Sequence, residues 1–180
     1  MATRQWTDAE WRTLANRIGA GTVTPVVGAG ASADIVGDAA GLARAWADDA
    51  GYPFDDDDRL PAVAHYVATM EDRARPAEYL AETLAAKLDG FVVAAIEDRH
   101  HPYRALPKHG FPTWLTTNYD DLIRRALNAD NRPPRIGVAR WTPPDLYWDN
   151  AEYDLSGFTP APEQPLVSTS TAATAIHRRW

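Results

Sequence analysis

The sequence predicts an α/β domain built on a Rossmann-like parallel sheet with flanking helices. Three observations predict it. Two short apolar runs, "TVTPVV" and "PTWL", end abruptly in "GAGAS" and "TTNYDD". A helical pattern follows each junction, and further helical stretches lie between them, as crossover-connected parallel strands require. The runs themselves are apolar and rich in β-branched or aromatic residues, like strands buried on both faces.

Each element follows from local pattern. Thr7 is placed to cap a helix through "DAEWRTLANRIGAG", with Trp6, Trp11, Leu14 and Ile18 on one face and Gly19 or Gly21 at its end. Residues 23–27 read as a buried strand. "GLARAWADDAG" reads as a helix with Leu42, Ala45 and Trp46 turned inward. The four aspartates at residues 55–58 read as a solvated cap before the next helix rather than a metal site. "LPAVAHYVATMED" and "RPAEYLAETLAAKLDGF" are two more helices, with Pro76 suited to a first turn. "HHPYRALPKHG" is a connection into a strand over residues 111–116. Leu122, Ile123 and Leu127 are spaced for the helix after it. Beyond Asn131 the chain turns rich in proline and aromatics. Residues 136–141 allow a strand within what is otherwise a long loop. The terminal "STSTAATAIHRRW" fits no element well.

Bulk properties narrow the function classes. A chain of 180 residues suits one domain. Its net charge of −7 argues against a nucleic-acid partner, which wants a basic face. It has neither an apolar run of membrane-spanning length nor the apolar centre of a signal peptide, so no membrane partner and a cytoplasmic location are expected. The absence of cysteine removes disulfides, thiolate zinc sites and cysteine nucleophiles together, and no metal is expected.

The first junction, Gly28-Ala29-Gly30-Ala31-Ser32, stands where phosphate-binding loops stand. Glycines there permit a tight turn and close backbone approach, and the amides with the following helix dipole favour a pyrophosphate. Ser32 adds a hydroxyl. The pattern is neither a full G-x-G-x-x-G, because Ala33 replaces the third glycine, nor a P-loop. A tight turn for close packing explains it equally well. The second junction carries Thr116, Thr117, Asn118, Asp120 and Asp121. Ligands bind at the carboxyl ends of parallel strands, so both junctions can face one crevice. Asn118 offers donor and acceptor groups, and Asp120 accepts from a hydroxyl or amide. Helix capping by Asn118 or Asp120 is the competing explanation, and it accounts for one polar residue better than for the whole run.

With these residues the sequence resembles the sirtuin-like superfamily, and more closely the sirtuin-like domains of bacterial defence proteins. "VVGAGAS" matches that family's Gly-Ala-Gly-x-Ser motif, and "LTTNYDDLI" matches its Thr-Thr-Asn-Tyr-Asp motif. The resemblance spans roughly residues 23–167, and a family domain over residues 1–167 is expected. It implies a Rossmann-like fold that binds NAD. Gly28, Ala29, Gly30, Ala31 and Ser32 would line the pyrophosphate and nearby ribose, with Thr117 also at the cofactor. Asn118 would position a water or the nicotinamide ribose, and Asp120 would hold the ring side; these two are the expected catalytic residues. The implied reaction cleaves the N-glycosidic bond of NAD to nicotinamide and ADP-ribose, with anti-phage defence as the implied setting. For such a bond the site must stabilise an oxocarbenium-like ribose and exclude stray water. A homo-oligomer of a full-length form stays open.

The departures matter. The zinc-binding Cys-x-x-Cys pair and the Gly-x-Pro-Asp-Phe-Arg segment of deacylating sirtuins are missing, so NAD hydrolysis is favoured over deacylation. The family's general base is a histidine in a His-Gly step on the strand after the second motif, and here the only such step, His109-Gly110, precedes Asn118. His65, His100 and His101 read as structural or exposed. Relatives tend to read "PLVYHLHG" where this chain reads "PLVSTSTA". Deleting one base from GTC TAC CAC CTC CAC GGC turns Val-Tyr-His-Leu-His-Gly into Val-Ser-Thr-Ser-Thr-Ala. The expectation is therefore a frameshifted or truncated family member, with residues 168–180 as a non-family tail and no turnover by this chain. A nucleotide-binding sensor without turnover is the alternative.

Overall fold

The computed structural model describes residues 4–139 and 155–170. It is an α/β fold with a four-stranded, all-parallel sheet. The strands are β1 (Val26–Val27), β2 (Thr113–Thr116), β3 (Arg135–Ala139) and β4 (Leu166–Ser170), in the spatial order β1-β2-β4-β3. Val27 pairs with Thr116, Thr116 with Thr169, and Thr169 with Val138. The carboxyl ends of all four strands therefore lie along one rim, with β1 and β2 adjacent.

The helices are α1 (Asp8–Gly19), α2 (Ala33–Val36), α3 (Ala39–Ala50), α4 (Leu60–Met70), α5 (Arg75–Leu88), α6 (Pro102–Ala105) and α7 (Leu122–Ala129). The main core gathers Val27, Trp114 and Val167 from the sheet, Leu122, Ile123 and Leu127 from α7, and Tyr103 and Phe111 from the segment before β2. Alternate strand residues point to opposite faces, so Val27 and Trp114 are buried while Val26 and Leu115 are 69% and 41% exposed. The helices α3 and α4 build a second cluster from Ala43, Trp46, Ala47, Val63 and Val67, on which Tyr79 of α5 stacks at 4.5 Å. Ala81 and Leu84 of α5 reach Val36 and Tyr119, so helical layer and sheet meet at the strand rim. Among the described residues no helix is long and apolar enough to cross a membrane.

Most elements stand where the pattern puts them. Thr7 caps α1 in a full capping box with Glu10. Pro76 lies in the first turn of α5, and Leu122, Ile123 and Leu127 are all buried. The Asp55–Asp58 run is solvent-facing bonding before α4: Asp56 accepts from Tyr52 Oη at 2.7 Å, and Asp58 pairs with Arg44.

Five expectations need correction. The apolar face of α1 is not buried: Trp6 and Trp11 are 51% and 56% exposed and pack on each other, centroids 4.9 Å apart. Aromatic periodicity sets a stripe, but a stripe is buried only where a partner surface exists. In α3 Trp46 is buried as expected, but the other inward residues are Ala43 and Ala47 while Ala45 is exposed, a displacement of the stripe by one residue. The first strand is only residues 26–27, since Pro25 has no amide for a longer ladder; β2 likewise begins at Thr113, after Pro112. The connection at residues 100–110 contains α6 and a 3-10 turn at Leu106–His109, each opened by a proline in its first turn. Residues 168–170, read as part of a structureless tail, are strand β4 between β2 and β3, with Thr169 buried. Serine and threonine fit a strand once two neighbours supply the ladder. The strand expected over residues 136–141 is β3; its last two expected residues lie outside the described residues, as do residues 171–180.

Candidate functional site

The first wall of the site is the turn after β1. Gly28 is extended (φ −113°, ψ 179°), and Ala29–Ala31 form a single 3-10 turn that ends in Ser32. None of the loop's glycines has positive φ. A Cβ on Gly28 would meet only Thr117 Oγ1, at 3.7 Å, an ordinary contact, and a Cβ on Gly30 would meet nothing within 4 Å among the described residues. The fold therefore does not need glycine at either position. Open space lies at Gly30 alone, so close packing does not account for glycine there. Gly37 differs: its φ of 87° lets the chain turn between α2 and α3.

The second wall is the turn after β2. The Thr117 amide donates to Val27 O at 3.2 Å, which fixes the two turns side by side. The Asn118 amide donates to Thr116 Oγ1 at 3.0 Å, and this bends the chain so that the Asn118 side chain turns inward. Asp120 Oδ1 accepts from the Leu122 amide at 3.0 Å and so caps α7. Asp121 lies on the other side. Its carboxylate is 1% exposed and held by Arg124 at 2.6 Å and Arg125 at 2.7 Å. The two aspartates thus separate: Asp120 faces the crevice, and Asp121 anchors the helix.

Between the walls lies a crevice of about 110 Å³, open to solvent. Ala29, Ser32, Thr117, Asn118 and Asp120 line it, joined by Tyr119, Asp38 and the apolar Val36, Leu42, Leu80 and Leu84. Five of the residues expected at the cofactor therefore share one cavity. Gly28, Gly30 and Ala31 do not line it: Gly28 backs onto Thr117, Gly30 is exposed, and Ala31 packs toward the main core.

Asn118 is the centre of the polar wall and is 4% exposed. Its Nδ2 faces three oxygens: Asp120 Oδ2 at 3.2 Å, Ser32 Oγ at 3.3 Å and Tyr103 Oη at 3.3 Å. An ionised carboxylate only accepts, so the carboxamide must turn Nδ2 toward Asp120. Its Oδ1 is left buried without a hydrogen-bond partner among the described residues. Burial raises the pKa of Asp120 above the usual carboxylate range, and the nearby Asp121 charge adds to this. The bonds from Leu122, Ser32 and Asn118 pull the other way. Burial, then the Asp120 charge, pushes the Tyr103 phenol up as well, so the phenol stays protonated.

Tyr103 is the residue that sequence reasoning missed. It belongs to a stretch taken for a plain connection, and its partners are distant in sequence. The signal available was a tyrosine in a His-Pro-Tyr step shortly before the second motif, at the start of a helical turn. His101 is structural, as expected: its Nδ1 accepts from the Tyr103 amide and its Nε2 faces Asp34. No histidine lines the crevice among the described residues, and His109 closes the 3-10 turn before β2. Comparison of the chain with protein-family models, with curated proteins and with solved structures finds no match.

Proposed function

We propose that the crevice binds NAD, as a sirtuin-like domain of the bacterial defence type does. The observation that carries this reading is Asn118, a buried carboxamide at the crevice between two adjoining strand ends, whose Oδ1 has no hydrogen-bond partner among the described residues. An orphaned buried acceptor costs about 1–3 kcal/mol, and a ligand hydroxyl or amide donor offsets that cost. The ribose diol of a nucleotide supplies such donors. The outward-facing glycine turn beside it gives a pyrophosphate room to approach the backbone. NAD is the cofactor and small-molecule partner of this reading, with Asn118 and Asp120 at the ribose next to nicotinamide. The chemistry of the intact site is hydrolysis of the N-glycosidic bond. This chain binds without turnover, since no histidine stands at the crevice among the described residues to serve as general base.

Calorimetry with NAD and with ADP-ribose tests binding. We expect binding by the wild type, and its loss in Asn118→Ala with the circular dichroism spectrum unchanged. Retained binding in that variant removes Asn118 from the site. A nicotinamide-release assay tests turnover: none is expected from this chain. Replacing residues 168–172 by Tyr-His-Leu-His-Gly is expected to switch release on. Release without that replacement overturns the missing-base argument, and silence after it favours a sensor that only binds.

A further inference from the structure

We infer that Tyr103 is a positioning residue, whose phenol hydroxyl holds the Asn118 carboxamide with Nδ2 toward Asp120 and Oδ1 left as a buried acceptor without a partner among the described residues. The functional half of this inference rests on the NAD reading; the geometric half does not. Tyr103 is 3% exposed and reaches the site from α6, outside both motifs. Its ring lies in the main core, so the hydroxyl is the only part with a polar duty.

The carboxamide nitrogen of Asn118 is held by three acceptors. The Leu122 amide occupies Asp120 Oδ1, and Asn118 Nδ2 reaches Asp120 Oδ2. Ser32 Oγ lies 3.3 Å from both Ala29 O and Asn118 Nδ2, and its single proton goes to an acceptor, so toward Nδ2 it can only accept. Tyr103 Oη then accepts the second proton of Nδ2, at 3.3 Å. Both Nδ2 protons are used, and no donor in the set remains for Oδ1. Without the phenol oxygen the second proton has only Ser32 Oγ, also at 3.3 Å, and the carboxamide loses one of its three acceptors.

The test is Tyr103→Phe, which keeps the ring and its packing. Side-chain amide spectra in ¹⁵N–¹H correlation report on Asn118 without any ligand. In the wild type we expect both Asn118 Nδ2 protons to exchange slowly with solvent; fast exchange of either overturns the inference, whatever the variant does. In Tyr103→Phe the Asn118 pair shifts and exchanges faster, while Ile136→Val, a packing change in the same cluster, leaves it in place. An unmoved Asn118 pair in Tyr103→Phe, or an equal response in both variants, overturns it too. By calorimetry NAD affinity falls about threefold to tenfold in Tyr103→Phe, as for loss of one hydrogen bond, and stays level in Ile136→Val. Unchanged affinity with a shifted amide refutes the functional half. If the wild type binds no NAD, the reading of the crevice fails, and the amide spectra alone decide whether Tyr103 positions Asn118.

Discussion

At Asp120, one buried carboxylate serves two oxygens' worth of bonding, to the Leu122 amide and to Asn118, and still has a raised pKa. The folded protein therefore holds its proton more tightly than the unfolded chain does. The stability this group contributes is complete below the ordinary value near 3.8 and is lost as pH rises through the raised folded value. At neutral pH the ionised form is a cost to folding. Asp120→Asn is expected to melt higher than the wild type at pH 7, with the gap closing as the pH is brought down toward 4. Melting curves at several pH values check it, and a gap independent of pH would sink the argument. The same substitution turns the Asn118 carboxamide round, since two amide nitrogens cannot face each other, so NAD binding is expected to fall as stability rises. Residue chemistry was legible here in part. Asn118 and Asp120 stood out because their polarity exceeded what a helix cap needs. Tyr103 did not, because a lone tyrosine in a proline-rich connection carries no periodic signal and its partners lie 15 residues or more away in the chain.

On the scale of the element, α7 is fastened at its start rather than along its length. Asp121 holds Arg124 and Arg125, and Arg125 Nη1 also reaches Leu88 O and Phe91 O at the end of α5. One buried carboxylate thus ties three segments. Asp121→Ala removes the buried carboxylate that both guanidinium groups share and is expected to cost about 3–5 kcal/mol in urea unfolding. Arg124→Ala, at a side chain 35% exposed, is expected to cost no more than about 1 kcal/mol. Equal costs would show that the cluster is a surface pair. The buried face of α7 was readable because its apolar spacing is strict and its partners are all in the main core. The short elements were not. A four-residue helix such as α6 shows barely one turn of pattern, and β1 is two residues long, so neither gives a period to count.

Across the whole molecule, the parallel sheet converts two motifs far apart in the chain into neighbours. The class of fold was legible because alternation of buried strands with helices leaves few other arrangements. The strand order was not, since β4 takes its place between β2 and β3 through ladder bonds to both, and "LVSTS" by itself carries little apolar pattern. The exposed Val26 and Leu115 mark the sheet face that the main core does not use.

The glycine turn after β1 carries a consequence for how variants of this protein would fare under selection. Gly30 sits inside a 3-10 turn with open space around it. Alanine there restricts the unfolded chain without straining the folded one, so Gly30→Ala is expected to gain about 0.4–1 kcal/mol in stability. Although Gly30 does not line the crevice, on the proposed NAD reading the pyrophosphate reaches the turn from outside, and the added methyl group obstructs it. A library sorted for cellular abundance should enrich alanine at position 30, and the same library sorted for nucleotide occupancy should enrich glycine. Agreement between the two sorts would mean that the open turn serves folding after all.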